Sequence, residues 1–483
     1  MFRINIQKSG RPSTFMEKIL DHPIFLSFYG DDFTGSTDAM ESLTLNGIPA
    51  ALFIEPPTPQ EIDEFRLKNP LDERSGSRIK AFGVAGVSRS LSPQEMDREL
   101  SPIFKKISRI PADFFHYKVC STFDSSPSVG NIGHATDIAM QYFPSGIIPL
   151  IVGAPALNRF CLFGNLFARV GEVTYRLDRH PTMSKHPVTP MNESDLRIHL
   201  GQQSGRKVEL FDIFSLEMPD AEQKKKIDAI DSRSGIFLLF DTLNQEHLLQ
   251  TGKIVIENRG KNTQLLVGSS GTEYALANYL AEKGILNKPG FQAEAGRADQ
   301  ILIMAGSAAP TTHEQLDWCI SLGFYPLRIN TPRAVDPAGS AGEEKRVMEE
   351  ALKVLNEGKS VAIFSALGPD DPEIARTKKI IENNRQGHQG TLASFQGSLL
   401  KRILEKKILK RVVVAGGDTS GYVSRALEIY ALEVRIPVAP GAPLCTAHSK
   451  NPVFDGMEIS LKGGQNGNRR YFESILEGKK LIP

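Results

Sequence analysis

The chain is poor in cysteine and tryptophan, with four of the first and one of the second in 483 residues. Cys120, Cys161, Cys319 and Cys445 lie far apart and form no Cys-x-x-Cys pair. That argues against a structural zinc site and against a disulfide framework. Long apolar runs are lacking too: none approaches the roughly 18 residues of a membrane span. The opening residues, MFRINIQKSGRPST, have no apolar core of a secretory signal. A soluble, cytoplasmic protein with no membrane partner is expected. Nor is there an excess of either charge. Fifty-seven basic and 56 acidic residues give a formal net charge of +1. This is not a nucleic-acid-binding composition, and no nucleic-acid partner is expected.

What is present is a repeated order of short apolar run, Gly/Ser/Pro turn and helical pattern. Candidate strands are 25–29, 50–54, 80–85, 147–152, 207–211, 236–240, 264–267, 301–305, 325–328, 360–364 and 411–415. Many are continuously apolar, as strands covered on both faces are. Candidate helices include 37–46, 93–108, 271–284, 310–321 and 341–356. The alternation predicts an α/β protein of two domains, each a mainly parallel sheet flanked by helices. The polar stretch 286–299, with Gly and Pro, reads as a linker between domains at 1–285 and 300–483. The active site is expected in the cleft between them.

The second half carries the sharpest local signal, RVVVAGGDTSGYVSRAL at 411–427. A buried strand runs into Gly416 and Gly417, which permit a tight turn. Asp418, Thr419 and Ser420 then open a helix whose free N–H groups suit an anion. The segment lacks the GxxxxGK[ST] and GxGxxG patterns, so neither a P-loop nor a Rossmann dinucleotide site is indicated. A well-capped turn with no ligand would read the same way. Two further turns favour a nucleotide. LKGGQNG at 461–467 supplies Lys462 and Gly464, and AGSAAPTT at 305–312 supplies Ser307 and Thr312. The stretch PVAPGAP, 437–443, reads as a rigid loop walling such a pocket or as an edge connection.

In the first half, YGDDFTGSTDA places Asp31 and Asp32 where a strand meets a glycine-bearing turn. Either Asp32 caps a helix, or a carboxylate there orients and deprotonates a sugar hydroxyl or holds Mg²⁺ through water. Arg89 in VSRS suits a small carboxylate, because its fork can bond both oxygens. Lys118 in HYKVCST is followed by Ser121 and Thr122, and GNIG offers Asn131 as a polar reader. Acids, a guanidinium, an amine and hydroxyls on one side and phosphate turns on the other suit a small anionic polyol facing a nucleotide.

These segments, together with GAPALNRF and HPVTPMNESDL, resemble the four-carbon acid sugar kinase family over about residues 25–472. The resemblance implies an acid-sugar domain followed by an ATP domain. It also implies ATP-dependent phosphorylation of threonate, erythronate, 3-oxo-tetronates or branched acids such as 3-oxo-isoapionate. By motif, Asp31 and Asp32 match the paired acids, Asp32 being slightly favoured as the base. Arg89 and Lys118 match substrate-side cations, with Ser121 and Asn131 beside them. Ser307, Gly416, Gly417, Asp418, Thr419, Lys462 and Gly464 match the nucleotide side. ATP and Mg²⁺ are the implied cofactors, no metal ligand is assigned, and a homodimer is compatible.

One loop departs from the family pattern. Cys120 stands in place of an aspartate, the arginine before GNIG is absent, and five extra residues precede it. A substrate other than a linear acid is therefore expected, and the form STFDSSP resembles the 3-oxo-isoapionate kinase subgroup, which implies a branched oxo-acid. Two other functions fit the two-domain layout: a non-catalytic sugar-acid or nucleotide sensor, and an NAD-dependent sugar-acid dehydrogenase.

Overall fold

The computed structural model describes residues 22–68, 79–186, 188–231, 233–286, 294–383 and 391–481. The first half contributes the strands Ile24–Gly30 (β1), Ala50–Phe53 (β2), Ala81–Ala85 (β3), Ala112–Lys118 (β4), Ile147–Ile151 (β5), Arg159–Leu162 (β6), Asn165–Val170 (β7), Val173–Arg176 (β8), Val208–Phe211 (β9), Ile236–Phe240 (β10) and Gln264–Gly268 (β11). The second adds Leu302–Ala305 (β12), Tyr325–Arg328 (β13), Val361–Phe364 (β14), Arg411–Ala415 (β15), Ile429–Ala439 (β16), Ala442–Ser449 (β17) and Glu458–Lys462 (β18). The helices that carry or buttress the site are Phe33–Leu45 (α1), Ile132–Met140 (α2), Gly271–Glu282 (α3), Pro310–Ser321 (α4), Thr391–Lys406 (α5), Gly417–Ala426 (α6) and Tyr471–Glu477 (α7).

The fold is α/β, as the alternation of patterns predicts. Its two parallel regions are joined in one 15-stranded sheet of order β13-β14-β12-β15-β18-β17-β16-β2-β3-β1-β4-β11-β5-β10-β9. Pairing is parallel from β2 to β9 and again from β13 to β18. Between them lies the antiparallel hairpin β16–β17, and β16 also pairs antiparallel with β2 through Ala431–Phe53, Leu432–Leu52 and Glu433–Ala51. Each half thereby covers an edge the other would expose. The strands β6, β7 and β8 form a small separate sheet.

The hairpin replaces the rigid loop expected at 437–443. The chain turns only at Pro440 and Gly441, and Pro437 sits where the β16–β17 register shifts between Ile436 and Ala439. A bulge tolerates the missing N–H of proline, so the residue does not end the strand. Of the expected linker, 287–293 lies outside the described residues. Ala295 and Ala298 donate backbone bonds to Gly478 and Leu476, beside α7. One apolar core cluster runs through both halves, from Leu52 and Ala81 to Val412, Leu432 and Ile459. Among the described residues no helix is long and apolar enough to cross a membrane.

Candidate active site

Three backbone links assemble the side expected to bind the substrate. Asp31 N donates to Lys118 O at 2.9 Å, Arg89 N donates to Asp31 O at 2.9 Å, and Gly130 N donates to Leu91 O at 2.9 Å. The ends of β1 and β4 and the turns after β3 and before α2 therefore meet at one point. Asp32 caps α1, its Oδ1 accepting from Gly35 N at 2.7 Å. Arg89 joins the two acids. Its Nε and Nη2 reach Asp31 at 3.2 and 2.7 Å, and its Nη2 and Nη1 reach Asp32 at 2.9 Å each. The guanidinium expected to await a substrate carboxylate is thus engaged by both neighbouring carboxylates. The Asp31 side chain is 3% exposed and that of Asp32 29%. Burial raises the Asp31 pKa against the pull of Arg89.

Lys118 is buried at the end of β4. Its Nζ donates to Val119 O at 3.1 Å and lies 3.4 Å from Asp38 Oδ2. Burial alone disfavours the ammonium, but Asp38, Glu273 and Asp31 outweigh it and raise the pKa. Behind Lys118, His116 Nδ1 is 2.8 Å from Glu273 Oε1 on α3, and both side chains are fully buried. Sequence reasoning missed Asp38, Glu273 and His116. The one available signal was a third acid inside DDFTGSTD, since its cation comes from a distant strand.

The departing loop is tied down along its length. Cys120 Sγ is 2.9 Å from Thr122 Oγ1, which donates to Asp124 at 2.7 Å. Ser125 Oγ lies 3.0 Å from His199 Nε2 and accepts from Gln203 Nε2 at 2.8 Å. Burial holds the Cys120 thiol neutral, its pKa pushed up to about 11. Ser121 is half-buried in this turn. Asn131 ties the end of this loop to α2. Its Oδ1 accepts from His134 N at 2.7 Å, capping α2, and its Nδ2 donates to Pro127 O at 3.1 Å.

On the side expected to bind the nucleotide, the turns after β12, β15 and β18 are locked together. Gly306 N and Ser307 N both donate to Ala415 O, Gly416 N donates to Lys462 O at 2.9 Å, and Thr312 Oγ1 donates to Gly464 O at 2.8 Å. Gly416 has φ +133°, which favours glycine. A Cβ on Gly464 would lie 2.3 Å from Ser307 Oγ, whereas one on Gly417 would meet only Thr34 Oγ1, at 3.9 Å. The N-terminus of α6 is therefore open, with Asp418 exposed beside it. Two expected ligands face inward. Thr419 Oγ1 is buried and donates to Gln396 on α5 at 3.2 Å. Lys462 is 1% exposed, with Nζ 3.4 Å from Thr312 Oγ1 and Gly464 O and over the rings of Tyr471 and Phe472. Burial lowers its pKa to about 7. It props its loop from beneath, because the strand end points it into the core.

The two sides meet across α1. Thr37 Oγ1 donates to Gly441 O at 3.2 Å, and Gly441 N donates to Glu41 Oε2 at 2.6 Å. A Cβ on Gly463 would lie 3.0 Å from Thr34 Oγ1. The acids at the start of α1 and the glycine turns thus lie on either side of Thr34.

Two family models match the chain. Residues 26–276 match a sugar-binding N-terminal domain and 302–472 a nucleotide-binding C-terminal domain. The chain is 41% identical over 459 residues to the 3-oxo-isoapionate kinase of Paraburkholderia graminis, covering 94% of this chain and 95% of that protein. It is 28% identical to the 3-oxo-tetronate kinase of Cupriavidus necator, over 95% of this chain and 98% of the other. A solved structure from Salmonella typhimurium has the same fold, with a TM-score of 0.71 at 22% identity over 93% of this chain and 98% of that one. Matched in both halves and along nearly its whole length, the chain belongs to the acid sugar kinase family.

Proposed function

We propose that this protein is an ATP-dependent kinase that phosphorylates a hydroxyl of a small 3-oxo sugar acid, with a branched acid of the 3-oxo-isoapionate type the favoured substrate. The observation that carries this is the placement of Asp31, Asp32 and Arg89 on one side of Thr34 and the glycine turns on the other. The 41% identity to a 3-oxo-isoapionate kinase supports the branched acid over the linear ones. The dehydrogenase and sensor alternatives find no counterpart among these relatives.

The glycine turns fit a polyphosphate, because Gly417 leaves open space at the start of α6 where a larger residue would intrude. Asp418 is the exposed carboxylate at that turn and would hold Mg²⁺ through water. One or two carboxylates suffice for Mg²⁺ when phosphates and water supply the rest. ATP and Mg²⁺ supply the transferable phosphoryl group and its charge neutralisation. Asp32, the more exposed acid, orients the acceptor hydroxyl and takes its proton. Asp31 anchors Arg89, and Arg89 in turn fixes the Asp32 carboxylate. Positioning of this kind accounts for most catalysis in phosphoryl transfer.

The test is phosphorylation of 3-oxo-isoapionate, 3-oxo-tetronate, threonate and erythronate with ATP and Mg²⁺, read as a mass change. Asp32→Asn should lower kcat by roughly 10²–10⁴-fold with little effect on the KM for ATP. Full activity of that variant would remove Asp32 from the role of base. Binding of acid and ATP without any turnover would favour a sensor.

A further inference from the structure

We propose that Arg159 grips the carboxylate of the sugar acid; this rests on the kinase reading above. The two cations expected for that task are already engaged. Four of the five N–H groups of Arg89 serve Asp31 and Asp32. Lys118 is buried against Asp38 and Val119 O.

Arg159 stands at the same edge of the sheet. Gly30 is in register with Lys118, Lys118 with Gly268, and Gly268 with Ile151. The chain leaves that row at Ile151 and reaches Arg159 through one short turn. Open α/β sheets take their ligands along such a row of strand ends. Among the described residues Arg159 forms no ion pair. Its Nη1 donates to Leu157 O at 3.0 Å and Asn158 O at 3.2 Å, within its own turn. Its Nε is buried without an acceptor. The Nε–Nη2 edge is therefore unpaired among the described residues, and that edge bonds both oxygens of a carboxylate at once.

The charges around it agree with this role. Cys120 and Asp124 are the ionisable groups beside Arg159, and Cys120 also neighbours Arg89 and Lys118. The departing loop thus lies between the two groups of cations. Its thiol is neutral, and Asp124 accepts from Thr122 and forms no ion pair with Arg159. A substrate carboxylate at Arg159 would leave the polyol end for Asp32. The loop 120–125 would then wall the middle of the substrate, where a branch has to fit.

Arg159→Gln and Arg159→Lys are compared with the unaltered protein. The substrates are the 3-oxo sugar acid and its neutral analogue, with the carboxylate reduced to an alcohol. Arg159→Gln should raise the KM for the acid by on the order of 10²-fold. The KM for ATP and the phosphorylation of the neutral analogue should not change. Arg159→Lys keeps the charge without the fork, so its KM for the acid should fall between. An unchanged KM for the acid, or equal losses for acid and neutral analogue, would overturn the proposal. If Arg159→Gln does not fold, the lysine variant decides: a reduced preference for acid over neutral analogue supports the grip, and an unchanged preference overturns it. Should the unaltered protein phosphorylate none of these acids, the kinase reading fails. Calorimetric titration with the acid then judges Arg159 alone. Binding lost in the variant supports the grip, whereas binding retained, or none in either protein, overturns it.

Discussion

At the scale of single residues, the glycines of the nucleotide turns divide by what a side chain would meet. Gly417 faces open space, so Gly417→Val should leave the melting temperature unchanged and raise the KM for ATP by roughly 10–100-fold. A Cβ on Gly464 would lie 2.3 Å from Ser307 Oγ and 2.8 Å from Ala309 Cβ. Gly464→Ala should therefore cost about 1–3 kcal/mol as overpacking and lower the melting temperature as well. Thermal melts alongside ATP titration check both, and the assignment fails if Gly417→Val binds ATP normally. The sequence showed three glycine turns, two of them after candidate strands, and in the structure the third follows a strand too, β18. It did not separate a glycine needed for a neighbour from one that leaves room for a ligand, because that depends on distant residues. Arg89 illustrates the same limit: its partners precede it by 58 and 57 residues. An arginine in VSRS therefore looked unengaged.

At the scale of elements, α1 does more than its sequence pattern suggests. Its polar residues Thr37, Glu41, Ser42 and Thr44 are buried together with Ala39, Met40 and Leu43. A polar stripe of this kind normally faces water. Here the turn at Pro440 and Gly441 covers part of it, and periodicity within one helix carries no trace of a segment so far along the chain. Glu41 records that burial. Its pKa is pushed from 4.5 up to about 8, with Gly441 N–H pulling the other way. Between those values the folded chain binds more protons at this site than the unfolded one. The contribution of Glu41 is thus full below pH 4.5 and lost as pH rises to about 8. Glu41→Gln should flatten the dependence of melting temperature on pH across that window. Parallel curves for the two proteins would show that Glu41 does not titrate there.

At the scale of the whole molecule, the α/β class and most strands of the parallel regions were readable from apolar runs alone. The seam was not. Residues 50–53, AALF, look like any buried strand, and their partners 431–433 fall in no candidate strand, only the stretch 437–443 beyond them reading as a loop. That seam bears on stability, because β16 pairs with β2 on one side and β17 on the other while a single core cluster crosses between the halves. Two independently folded domains would melt separately, and a nucleotide would raise only the transition of the half that binds it. With the sheet and core shared, unfolding one half strips hydrogen bonds and apolar cover from the other. Calorimetry should accordingly show one cooperative transition. Saturating ATP with Mg²⁺ should move all of it upward, by about 2.7 kcal/mol of added stability at one hundred times Kd. Two resolved peaks, with only one shifted by nucleotide, would mean that the three residue pairs between β16 and β2 are too few to couple the halves.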